Sequence, residues 1–130
     1  MSQSHAPLGD PNHAIDLALF GALGDLAMRK LFPALYHLDR EGLMPESTRI
    51  MGLARQEHDT AAFRQLVSGA LQKRLKKDEQ DKESLERFLN RLEYLKLDFA
   101  NAEGYDAIRQ WREGSKRPMV VYLSVAARIY

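Results

Sequence analysis

The sequence predicts an α/β fold, a doubly wound parallel sheet covered by helices, on three observations. Short apolar runs suited to buried strands alternate with longer stretches whose apolar residues recur at helical spacing. The first run breaks at Gly21 and Gly24 and passes straight into a helical pattern. The resulting order, β–α–β–α–α–β–α–β, favours a parallel sheet with right-handed crossovers.

The first strand is expected at Asp16–Phe20, inside the apolar stretch from Ile15 to Leu23. A helix follows from Asp25 towards Arg40 and stops at Gly42. Leu31, Leu35 and Leu38 share one of its faces, and Pro33 bends it because proline lacks the N–H of a helix bond. The second strand lies between Thr48 and Gln56. Phe63, Leu66, Val67, Ala70 and Leu71 repeat at helical spacing, as do Leu85, Phe88, Leu89 and Leu92. Residues 73–81 between them are densely charged and read as a helix end or loop. A short strand is expected at residues 94–97, then a helix capped by Asn101 and reaching Trp111, then a fourth strand at residues 119–125. Residues 1–14, polar with proline and glycine, read as a flexible lead-in, leaving residues 15–130 as the folded domain.

Composition narrows the function. A chain of 130 residues, 45% hydrophobic and 28% charged, suits one globular soluble domain with a real core. Its formal net charge of +1 gives no general field for nucleic acid or an anionic membrane. With no cysteine it has neither disulfides nor thiolate chemistry, which fits a reducing cytoplasm. The apolar run at residues 15–23 is short, is interrupted by Asp16 and has no basic region before it, so it reads as neither signal peptide nor membrane span. No internal repeats are present.

A strand that ends in glycines at the start of a helix can hold a pyrophosphate. Unbonded N–H groups and the positive end of the helix dipole converge there. The stretch from Gly21 to Ala27 reads G-x-x-G-D-L-A rather than the general dinucleotide pattern G-x-G-x-x-G. Its physics is still adequate: Gly21 can take a turn conformation closed to most residues, Gly24 lets the backbone approach phosphate, and Ala27 lets helix and strand pack closely. A βα turn without a ligand is the plainer alternative. The phosphate-binding P-loop fails, because it needs Gly-Lys-Ser/Thr and here Lys30 stands between Arg29 and Leu31. The second strand ends in Ala54, Arg55 and Gln56, with no acid before Glu57. An acid at that position would accept from the ribose of NAD, whereas an arginine accommodates the 2′-phosphate of NADP. Arg55 therefore argues for NADP, against the alternative of a solvated surface arginine.

At these residues the chain resembles a known family. The segment GALGDLAMRKLFPALY, from Gly21 to Tyr36, is similar to the glucose-6-phosphate dehydrogenase motif G-A-S-G-D-L-A-x-[RK]-K-L-x-P-A-L. The likeness continues through REGLMPE from Arg40, through RIMGLAR from Arg49, matching R-I-x-G-x-A-R, and through VYLSV from Val121, similar to F-Y-L-A-x-P-P. The resemblance implies a Rossmann-like NADP-binding domain in which Gly21, Ala22, Leu23, Gly24, Asp25, Leu26, Ala27 and Met28 wrap the cofactor pyrophosphate. It implies that Lys30 adds positive potential, that Arg55 holds the 2′-phosphate and that Tyr122 lies near the nicotinamide half. Two departures stand out. Leu23 replaces the usual serine and removes a hydroxyl that could bond phosphate, and Ala126 and Ala127 replace the proline pair beside the nicotinamide.

The resemblance also implies an activity: NADP-dependent oxidation of glucose 6-phosphate to 6-phosphogluconolactone by a cytoplasmic homo-oligomer. A histidine oriented by an aspartate takes the C1 hydroxyl proton while hydride passes to nicotinamide C4. The family's R-I-D-H-Y-L-G-K and E-K-P-F-G segments are absent from this chain. The chain is therefore expected to be an incomplete cofactor domain, inactive alone, with catalytic residues and a larger substrate and dimerisation domain downstream. His5, His13, His37 and His58 have no carboxylate partner set by any motif and read as structural or surface residues. No pair has metal-ligand spacing and no serine sits in G-x-S-x-G. Two other readings remain open. One is the cofactor domain of another NADP-dependent oxidoreductase. The other is a non-catalytic helical interaction module at residues 73–93, where seven basic residues face six acidic ones and leave no one-sided patch for nucleic acid.

Overall fold

The fold was analysed in a computed structural model, which describes residues 13–97 and 102–123. Four parallel strands, β1 (Asp16–Phe20), β2 (Arg49–Ala54), β3 (Leu92–Lys96) and β4 (Met119–Leu123), form one sheet in the order β3-β2-β1-β4. The helices are α1 (Phe32–Arg40), α2 (Thr60–Arg74), α3 (Lys82–Asn90) and α4 (Ala102–Arg112). Every residue of β1 is buried, as a central strand covered on both faces requires. Alternation along the strand splits the core in two. Leu17 and Leu19 pack with Phe32, Tyr36, Phe63, Val67 and Phe88 from α1, α2 and α3. Ala18 and Phe20 pack on the opposite face with Met51, Leu53 and Ile108 of α4. The sheet is thus doubly wound, as the sequence predicts.

The first helix is irregular next to Pro33, where the sequence predicts a bend. A π-helical turn over Ala27–Leu31 precedes α1, and the Phe32 N–H donates to the Ala27 carbonyl five residues back. Pro33 supplies the reason: it has no N–H for the carbonyl of Arg29, and its ring would crowd that carbonyl in a regular turn. At the other end Gly42, with φ of 76°, stops the helix as predicted. The Leu43 N–H reaches Leu38 O at 2.9 Å and the Gly42 N–H reaches Asp39 O at 3.0 Å, the paired bonds of a Schellman cap. Leu38 accordingly belongs to the capping turn. It is 42% exposed instead of lying on the core face, and with Leu43 it lines a small apolar surface pocket. The buried face of α1 is Phe32, Tyr36 and Asp39.

The helical spacing around Leu66 holds in α2, and one strand bound is corrected. Leu66 is 45% exposed, and the core face of α2 is Phe63, Val67 and Leu71. Leu92 opens β3 and does not extend the third helix, so that strand begins two residues before the predicted Tyr94. The cause is Arg91, buried between α3 and β3, whose guanidinium donates to the carbonyls of Pro45, Glu46 and Thr48 and to Asp39 Oδ1 at 3.0 Å. The charged stretch at residues 73–93 is likewise engaged within the chain. Arg40 pairs with Asp81 at 2.9 Å, Arg87 with Asp39 at 3.4 Å, and the Tyr36 hydroxyl donates to the Glu79 carbonyl at 2.5 Å. Asn101, Val125, Ala126, Ala127, His5 and most of the predicted lead-in lie outside the described residues, while Ala14 is buried.

Candidate functional site

The C-terminal ends of parallel strands are where an open α/β sheet holds ligands. There, a cavity of about 210 Å³ is lined by Gly21, Leu23 and Gly24 after β1, by Arg55 and Gln56 after β2, and by Leu97 after β3. The turn on its floor is fixed from both sides. Gly21 takes φ of 79°, a conformation that favours glycine, and its N–H donates to Leu53 O at 2.9 Å. The Ala22 N–H reaches the same carbonyl at 3.2 Å, and the Gly24 N–H closes the turn on Gly21 O at 3.0 Å.

The helix begins immediately. Met28 N–H to Gly24 O, at 3.1 Å, is its first backbone bond. The N–H groups of Asp25, Leu26 and Ala27 belong to the first turn, which a helix leaves without internal acceptors, and Gly24 at its start has no side chain to cap them. Those donors and the helix dipole favour an anion at this end. Asp25 would oppose one, but Arg29 pairs with it at 2.9 Å.

The structure brings Gly21, Leu23, Gly24 and Arg55 together around the cavity. Ala22 and Ala27 are fully buried and support the turn from beneath. Met28 lines an adjoining groove along α2 that shares Leu23 and Gln56 with the cavity and reaches His58. Leu26 is 43% exposed, and Lys30 is exposed one turn further along. Tyr122 is set apart: it pairs with Leu19 on the edge strand β4 and is absent from the cavity lining.

Sequence reading missed Gln56 and Leu97. Leu97 directly follows β3 and Gln56 is the second residue after β2, a signal that becomes usable once strand order is known. Gln56 is also positioned: its carbonyl accepts from the Tyr94 hydroxyl at 2.6 Å, and the His58 ring packs edge-on against Tyr94 at 5.8 Å. Burial and the nearby Glu57 raise the Tyr94 hydroxyl above its usual range, keeping it a protonated donor to that loop. His37 packs beside Tyr36 on α1, away from the cavity. Among the described residues no group of His, Cys, Asp and Glu could hold a metal ion, and no helix is long and apolar enough to cross a membrane.

Comparison with known proteins agrees with this geometry. Residues 18–130 match the family described as "Glucose-6-phosphate dehydrogenase, NAD binding domain". A glucose-6-phosphate 1-dehydrogenase of Rhizobium meliloti is 38% identical over 121 residues, covering 92% of this chain and 25% of that protein. The enzyme of the same name from Gluconobacter oxydans is 40% identical over 119 residues, covering 88% of this chain and 24% of that protein. A solved structure titled "Glucose-6-phosphate dehydrogenase in complex with its substrate glucose-6-phosphate" superposes with a TM-score of 0.76 at 29% identity, over 94% of this chain and 26% of that one. The chain thus spans about a quarter of the length of the relatives it matches.

Proposed function

The chain belongs to the glucose-6-phosphate dehydrogenase family, as its nicotinamide-dinucleotide-binding domain, and from that premise we propose that it binds NADP in preference to NAD. The observation that carries the proposal is the meeting of the Gly21–Gly24 turn, an uncapped helix start and Arg55 around one cavity. The turn and the N–H groups of the helix start suit the pyrophosphate. Arg55, exposed at the end of β2 with no acid between it and the strand, suits the 2′-phosphate, which its planar fork can meet with two hydrogen bonds.

The wider reading is that of the family name: this chain supplies the cofactor end of an NADP-dependent oxidation of glucose 6-phosphate. When bound, the nicotinamide supplies the hydride acceptor. The chain's own residues bind and orient. Gly21 and Gly24 admit the diphosphate close to backbone, Arg55 fixes the adenosine end, and the Tyr94–Gln56 bond holds the loop that carries Arg55. Fixing both ends sets the register of the reactive ring, which is how a cofactor domain contributes to rate. Tyr122, on β4 beside Leu19 and outside the cavity lining, belongs to this reading as a residue near the nicotinamide half. The reading as a separate helical interaction module has nothing further in its favour: most charges of residues 73–93 are exposed and mixed in sign, and Asp81 and Arg87 pair with Arg40 and Asp39 of α1.

Calorimetric titration of the chain with NADP⁺ and NAD⁺ tests the proposal. Tighter binding of NADP⁺ supports it. A folded chain that binds both nucleotides equally, or neither, refutes it.

A further inference from the structure

The opposite end of the sheet holds a second and larger cavity. About 630 Å³ in volume, it opens where β2 and β3 begin and beside the turn into β4, and five arginines line it: Arg49, Arg64, Arg87, Arg91 and Arg117. We propose that this cavity is an anion site for a small phosphate-bearing molecule, separate from the dinucleotide site and independent of that reading.

The arginines are held in place. Arg49 grips Asp16 with Nε and one terminal nitrogen, at 3.0 and 2.7 Å, and its guanidinium lies 4.5 Å over the Trp111 ring. Arg117 bonds Asp16 through Nε alone, at 2.7 Å. Arg87 donates through one terminal nitrogen to Asp39 O at 2.8 Å, with its Nε 3.4 Å from the Asp39 carboxylate. Each of these side chains keeps a terminal nitrogen that has no acceptor among the described residues. A guanidinium fixed along one edge with donors left on the other loses little freedom on meeting an anion.

Arg64 is distinct. Its partners are two main-chain carbonyls, Leu92 O at 2.9 Å and Asn90 O at 3.3 Å, and among the described residues no carboxylate pairs with it. On two of the lining residues a buried polar atom, Thr48 Oγ1 and Arg91 Nε, has no hydrogen-bond partner among the described residues. Buried polar atoms are nearly always satisfied, and such exceptions collect where a ligand or ordered water completes the site. The acids nearby do not cancel the arginines. Glu46 and Glu93 line the cavity, with Glu93 accepting from the Trp111 indole N–H at 2.6 Å, and Asp16 and Asp39 lie behind it. Five cations against four carboxylates leave a positive remainder, centred on Arg64. The volume falls within the range of small-molecule sites, about 300–1,000 Å³. Several forked donors converging on one open cavity suit the many oxygens of a phosphate group.

The test is an NMR titration of the ¹⁵N-labelled chain with sodium pyrophosphate, against sodium chloride at equal ionic strength. Saturable shifts of the Arg64 and Arg87 Nε–H signals with pyrophosphate alone are expected. The double variant Arg64→Ala with Arg87→Ala is expected to weaken that binding at least tenfold, while Arg55→Ala leaves it unchanged. Because the double variant removes bonds to β3 and α1, Glu46→Gln provides an independent check: deleting an exposed opposing charge is expected to tighten binding about two- to fivefold. The proposal is overturned if chloride reproduces the shifts, if no saturable shift occurs, or if Glu46→Gln and a folded double variant both bind as the parent does.

Discussion

Gly52 illustrates how a single residue sets the distance between layers. A Cβ built there would stand 2.5 Å from Phe63 Cζ and 3.0 Å from the Ala22 Cβ, and Phe63 is itself wedged against Phe32 and Tyr94. The ring cannot swing away, so Gly52→Ala is expected to cost about 1–3 kcal/mol as an overpacked core, read as a lower denaturant midpoint. The sequence marks this glycine only as the fixed position of the R-I-x-G-x-A-R pattern, and its physical reason stays hidden because the neighbour that excludes a side chain lies on α2. Arg55, by contrast, was legible: the strand before it is apolar, no acid precedes it, and chain position alone put it at the ligand-facing strand end. Leu23 was legible too, as the residue standing where the family has serine. It lines the cavity, so Leu23→Ser places a hydroxyl within the site. Dinucleotide affinity is expected to rise by about 0.5–1.5 kcal/mol, the net worth of one hydrogen bond, and calorimetry reads it directly.

Among the elements, α2 and β1 depend on aspartates in opposite ways. Asp59 caps α2 locally, its Oδ1 accepting from the Ala62 N–H at 2.7 Å. Asp59→Ala is expected to cost about 1 kcal/mol in chemical denaturation, with the sheet intact. Asp16, the first residue of β1, is buried and accepts from Arg49, Arg112, Arg117 and Ser115, which bind β1 to β2, to α4 and to the turn into β4. Asp16→Asn is expected to cost about 3 kcal/mol, the low end for breaking a buried ion pair, because the arginines keep partial access to water. Element type and order were readable because apolar periodicity and Gly42 report them locally. Asp16 looked like an interruption of a strand because its partners stand 33 to 101 residues away. For the same reason spacing groups Leu38 with Leu31 and Leu35, while the structure exposes Leu38 and buries Asp39 beside it. Spacing assigns a face, but the buried Arg91 and the Schellman cap decided which residue filled it.

At the scale of the whole molecule, the sheet separates two charged ends: the candidate dinucleotide site where the strands finish, and the Asp16 and Asp39 arginine clusters where they start. Burial alone would raise the Asp16 carboxyl, but hydrogen bonds from Arg49, Arg117 and Ser115 outweigh it and hold the group well below the usual carboxylate range. A carboxyl depressed on folding stabilises fully above its unfolded value, about 4, and loses that contribution as pH falls towards its folded value. Stability is therefore expected to fall with acid below about pH 4. Urea midpoints compared between the parent and Asp16→Asn check this, since the variant is expected to lose less with acid; equal losses would mean that other carboxyls carry the effect.

The central claim is that the glycine turn and Arg55 together read NADP. The most direct test is calorimetric titration of Arg55→Ala with NADP⁺ and with NAD⁺ beside the parent chain. The account expects NADP⁺ binding to weaken by about 1–3 kcal/mol, the worth of a hydrogen bond to a charged group, while NAD⁺ binding stays within error. Unchanged NADP⁺ affinity, or an equal loss for both nucleotides, would contradict it.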